Sequence, residues 1–92
     1  MSNPVTIDLP SNLTISGVEH LHEMLERYAT GTDDVVINGA NVEKADTAGL
    51  QTLLAFRIAL DGQHVAMQWQ TPNDVIKDAA KQLGLTEHLM LQ

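Results

Sequence analysis

Val42-Glu43-Lys44-Ala45-Asp46-Thr47-Ala48-Gly49-Leu50-Gln51-Thr52-Leu53-Leu54 carries the chain out of a sheet and into a helix through an Asp-Thr pair. Just upstream, Val35-Val36-Ile37 is a continuous apolar run of the kind found in a central strand covered on both faces. Asp46 is placed as the helix N-cap, accepting a hydrogen bond from the Gly49 amide, and the helix runs to about Leu60 before Asp61-Gly62. Gly49 suits a close backbone approach or tight packing at the helix start. A hydroxyl, Thr47, then sits where backbone N–H groups are unpaired and the helix dipole is positive, a setting that would stabilise a phosphate. The apolar set Leu50, Leu53, Leu54, Phe56, Ile58 and Leu60 covers more than one stripe. This helix is therefore either packed on two sides or carries an exposed apolar strip.

The flanking sequence alternates strands with helices. Val5, Ile7 and Leu9 alternate with Thr6 and Asp8, Pro10-Ser11-Asn12 turns the chain, and Leu13-Thr14-Ile15 returns as a short strand. Ser16 and Glu19 form a capping-box signature ahead of Val18, Leu21, Leu25, Tyr28 and Ala29, which predicts a helix from about Gly17 to Thr30, with Gly31 at its stop. Val65, Met67 and Trp69 alternate with Ala66, Gln68 and Gln70 as a further strand that turns Trp69 to the core. Thr71-Pro72-Asn73-Asp74 then opens a third helix with a capping hydroxyl and proline at its first position. Its inward face is Ile76, Ala79, Ala80 and Leu83, and Gly84-Leu85 closes it. This order predicts an α/β fold with right-handed crossovers and a small, mixed, mostly parallel sheet. The helices lie mainly on one side, and the functional edge lies at the strand C-terminal ends, where the Val42–Gly49 connection falls.

Ninety-two residues suit one domain spanning 1–92 with little room for a deep catalytic cavity. Twelve acidic residues against five basic ones give a net charge of -7, which repels nucleic acid and anionic lipid surfaces. Cysteine is absent, so disulfides, thiol nucleophiles and cysteine-metal sites are excluded. Met1-Ser2-Asn3-Pro4 has neither a basic start nor an apolar run, and no stretch reaches the ~20 apolar residues of a membrane span. A soluble cytoplasmic protein is the expectation. His20 and His22 point to different faces of a helix, and His64 and His88 lack ligand-spaced neighbours, so no metal is expected. Glu19, Glu23 and Glu26 form a solvated acidic face. No Gly-rich phosphate loop and no Ser/Thr-His-Asp arrangement is present, so neither a cofactor nor catalysis is expected.

The Leu13-Thr14 pair, the Val35-Val36-Ile37 strand, the Asp46-Thr47-Ala48-Gly49-Leu50-Gln51 turn and Leu83-Gly84-Leu85 together resemble the STAS domain family of sulfate transporters and anti-sigma factor antagonists. The resemblance covers most of the chain, and its most specific element is the Asp-Thr-x-Gly-Leu turn. Within the family the chain is most similar to short stand-alone members: the STAS subunit of bacterial lipid-asymmetry ABC transporters, and small chemotaxis and partner-switching proteins. The resemblance implies a non-enzymatic STAS fold. It also implies that Thr47 is phosphorylated by an anti-sigma factor that is itself a histidine-kinase-like ATPase, which releases the antagonist until a phosphatase resets it. Asn38 stands where many members have Asp, and Ala48 replaces a second hydroxyl of the sigma-regulating branch. Both departures bear on kinase recognition more than on the fold.

Residue chemistry alone assigns Thr47 to solvating or capping its helix, whereas the resemblance implies a switch. Two functions follow. One is a partner-switching module controlled at Thr47, with a chemotaxis-linked scaffold as a variant; the other is an accessory subunit bound to the cytoplasmic ATPase of a lipid-transport ABC transporter. For either, the expected protein-binding surface comprises Asn41, Val42, Glu43, Lys44, Asp46, Thr47, Leu50 and Gln51.

Overall fold

A computed structural model describes residues 4–29, 31 and 33–91. Three strands, β1 (Val5–Asp8), β3 (Val35–Asn38) and β5 (Met67–Gln70), form a parallel sheet in the order β1-β3-β5. Val5, Val35 and Met67 share one row of the register, and Ile7, Ile37 and Trp69 another. Parallel neighbours need long crossovers, which α1 (Val18–Ala29) and α2 (Thr47–Gly62) supply. β3 is central, as expected. The parallel character is as expected, and it extends to every strand pair among the described residues, so the antiparallel minority of the mixed, mostly parallel sheet is missing there.

Strand periodicity splits the sheet into two unlike faces. Ile7, Val35, Ile37 and Met67 are buried, whereas Thr6, Asp8, Gln68 and Gln70 on the opposite face are exposed. Val36 and Asn38 lie half-buried between them, and Asn38 donates from Nδ2 to Asp8 Oδ1 across their register pair at 2.9 Å. The Val35-Val36-Ile37 run is therefore covered on one face only. A chain this short builds a single helical layer, so the second face is left mostly to polar side chains, with Val36 half-buried among them.

Between β1 and α1 the chain departs from expectation. The predicted Leu13–Ile15 strand is reduced to β2 (Asn12–Leu13), which pairs in parallel with β4 (Lys44–Ala45) rather than returning along β1. The Asn12 side chain then bends the backbone: Oδ1 accepts from the Thr14 amide at 3.1 Å and from the Thr14 hydroxyl, while Nδ2 donates to Ser16 Oγ at 3.0 Å. A 3₁₀ turn over Ile15–Gly17 follows. Ser16 lies inside that turn with its hydroxyl taken up by Asn12, so no capping box forms and α1 starts at Val18. Thr30, the predicted end of the first helix, lies outside the described residues.

α2 starts as predicted and runs two residues past Leu60, burying Gly49, Leu50, Leu53, Phe56 and Leu60 along one stripe. α3 (Asp74–Gln82) is capped by Asn73, whose side chain accepts from the Ile76 amide at 3.1 Å. Thr71, at a φ of 53°, precedes that cap instead of forming it. Gly84, at a φ of 71°, takes the left-handed position after α3; its amide bonds Lys81 O at 3.2 Å and that of Leu85 bonds Ala80 O at 2.8 Å. Ile76 and Ala80 are buried as predicted, but Leu83 is 39% exposed and Leu85 makes the apolar contact in its place. Trp69 packs against the core and donates from Nε1 to Leu89 O at 2.7 Å, tying down the segment that buries Leu89 and Leu91. Among the described residues no helix is long and apolar enough to cross a membrane.

Candidate partner-docking site

The start of α2 is built around one carboxylate. Asp46 Oδ1 accepts from the Gly49 amide at 3.1 Å, the N-cap bond legible in the sequence. Its Oδ2 accepts from the Ile15 amide at 3.0 Å, so the same side chain clamps the 3₁₀ turn against the helix. The amides of Gly49 and then Ile15 hold the Asp46 carboxyl below the ordinary aspartate value; desolvation opposes them, and the Ala48 amide adds the weakest contribution. Asp46 is thus a permanently charged brace near neutral pH. Its own amide also donates to Leu13 O at 3.0 Å, joining β2 to the turn.

Gly49 is required by that junction. A Cβ placed there would lie 1.9 Å from Leu13 O and 2.5 Å from Leu13 C, both backbone atoms that cannot step aside cheaply. The helix start therefore packs on the backbone of β2 at a distance that only glycine allows.

Thr47 is the first residue of α2, is exposed, and makes no side-chain hydrogen bond among the described residues. Because Asp46 performs the capping, the threonine hydroxyl is left without a structural role. Gln51, one turn on, is also exposed, and Ile15, held by Asp46, is 68% exposed. Asn41, Glu43 and Lys44 are exposed along the approach to the turn, where Ser11 O accepts from the amides of Glu43 at 2.8 Å and Lys44 at 3.1 Å.

Two predicted surface residues belong to the core. Leu50 is 0% and Val42 3% exposed, so neither presents a side chain to a partner. Leu50 lies on the inward stripe of α2, and Asn73 Nδ2 holds the Val42 carbonyl at 2.6 Å while the Val42 side chain packs inward. Ile15 was not foreseen. Its only sequence signal was a β-branched apolar residue beside the hydroxyls of Thr14 and Ser16, a pattern that a strand explains equally well. Of the two arrangements left open for α2, the structure has the exposed strip: Ile58 is 59% exposed, and Ala55 lies on the same outward side.

Among the described residues no three His, Asp or Glu side chains gather to hold a metal ion; His22 Nε2 lies 3.4 Å from Glu26 Oε1 as an isolated pair one helical turn apart. The arrangement at α2 offers a charged and partly apolar surface with an exposed hydroxyl, braced by the two hydrogen bonds that Asp46 accepts. A family model described as "Mlab, STAS domain" matches residues 1–92. No curated protein and no solved structure matches the chain.

Proposed function

We propose, from the premise that this chain belongs to the STAS domain family of the Mlab type, that it is a non-catalytic accessory subunit of a lipid-transport ABC transporter, docking on the cytoplasmic ATPase through the start of α2. The observation that carries the reading is the division of labour at this turn. Asp46 and Gly49 do the folding work, which leaves Thr47, Gln51 and Ile15 exposed on a braced surface. A pre-organised surface loses little conformational entropy on binding. Asn41, Glu43 and Lys44 form its polar rim, and rim charges tune association rate more than affinity.

A partner-switching module is the second reading, with an anti-sigma or histidine-kinase-like ATPase as partner. The unbonded hydroxyl of Thr47 at a helix N-terminus favours it. A phosphate on Thr47 would add roughly -1.5 to -2 charges beside the Asp46 carboxylate. Affinity capture from source cells with wild-type and Thr47→Asp protein separates the two readings. An ABC ATPase retained by wild type supports the accessory subunit. A kinase-like ATPase retained by wild type and lost with Thr47→Asp, together with phosphothreonine at Thr47 in native protein, replaces that reading with the switch. Thr47→Ala sharpens the contrast, because it weakens assembly of a subunit but locks a switch in its bound form.

A further inference from the structure

Away from the α2 start, α1 and α2 leave a long groove between them. Thr52 faces Val18–Glu23 at one end, and Ala55, Phe56 and Ala59 face Leu25, Glu26 and Ala29 at the other, so the helices run in the same direction. The span from Val18 to Ala29 is about 16 Å at the helical rise, the length of three turns of a third helix. Its floor is apolar, formed by Leu25, Ala29, Phe56 and the exposed methyl groups of Ala55 and Ala59. The two alanines stand one turn apart, and small residues at that spacing let another helix approach closely, ridge into groove. The α1 rim carries Glu19, Glu23 and Glu26 with His22, and among the described residues no Lys or Arg lines the groove. Arg57, one of the few cations of a chain with net charge -7, lies in a different depression beside Asp61 and Met67.

From this pairing of an alanine-stepped apolar floor with a rim of three glutamates and one histidine, we infer that the α1–α2 groove is a second docking surface, and that its occupant is a basic amphipathic helix of a partner protein. The shape fits helix-in-groove recognition, with apolar anchors one turn apart, and the charge selects lysine or arginine at the helix flank. The inference does not depend on what binds at Thr47, because the groove and the Asp46 turn use different residues.

The test uses a synthetic helix of about 18 residues, leucine on one face and lysine on the other, titrated into isotope-labelled protein and followed by amide chemical shifts. A peptide of the same pattern with glutamate in place of lysine is the control. The lysine peptide is expected to shift Leu25, Ala29, Ala55, Phe56 and Ala59, to bind more weakly as salt rises, and to lose about five- to tenfold in affinity in the double variant Glu23→Gln, Glu26→Gln. Ala55→Arg, at an exposed position, is expected to abolish binding with thermal unfolding unchanged. Equal binding of the glutamate peptide overturns the inference. So do shifts centred on Ile15 and Thr47 or spread over the acidic surface, a silent groove, or a dimer of this chain that Ala55→Arg dissolves. Thr47→Asp leaves peptide binding unchanged, so failure here is distinct from failure of the α2 docking site.

Discussion

Replacing Gly49 with alanine tests the architecture of the α2 start. The added methyl carbon would sit 1.9 Å from Leu13 O, 1.5 Å inside the 3.4 Å at which ordinary contact begins. Relief requires α2 to back away from β2, which breaks the backbone hydrogen bond accepted by Leu13 and loosens Leu50 and Leu53 against the core. Overpacking against backbone costs about 3 kcal/mol and the lost hydrogen bond about 1, while the helix propensity of alanine returns about 1. The net loss is about 3 kcal/mol, or a fall in Tm of roughly 12–24 °C for a domain of this size. Gly62→Ala is the matched control: it lies at the other end of the same helix, has nothing within 4 Å of the new Cβ, and should be neutral or slightly stabilising. Urea unfolding of the two variants beside wild type measures the difference. Equal stability of Gly49→Ala and Gly62→Ala would refute the close approach of helix and strand.

Leu50→Ala should cost about 3 kcal/mol in urea unfolding, whereas Gln51→Ala should stay within ~0.5, because the first empties a core site and the second trims a solvated side chain. The lowered carboxyl of Asp46 adds stability that is complete above its ordinary value of 3.8 and drains away as pH falls through the depressed native value. Acid unfolding of Asp46→Asn should therefore lack that component of the pH dependence seen in wild type. Ile15→Asp should leave Tm nearly unchanged while weakening partner binding at least about tenfold, as expected for an exposed apolar anchor; a large loss of stability instead would place Ile15 in the core.

What was legible in the sequence was local. The Asp46 cap reaches three positions along the chain and the Gly84-Leu85 closure of α3 reaches five, so residue type and spacing disclose them. The need for glycine at position 49 was visible in kind, though its partner, the Leu13 carbonyl, was not. What failed was settled by contacts between distant segments. Asp46 reaches Ile15 across 31 positions, and β2 finds β4 through two residues, too short a run to declare itself. Ser16 had the right neighbour for a capping box but lost its hydroxyl to Asn12, a competitor of equal chemistry. On α2 the apolar residues covered so wide an arc that the sequence could not say which faced out; packing turned Leu50 inward and Ile58 outward.

The most direct test of the docking claim is the equilibrium affinity of purified wild-type, Thr47→Asp and Ile15→Asp protein for the ABC transporter ATPase of the same cell. Wild type is expected to form a stoichiometric complex, and both variants to bind at least about tenfold more weakly with their Tm values unchanged. Undiminished binding by both variants, or no complex with the wild-type protein, would contradict it.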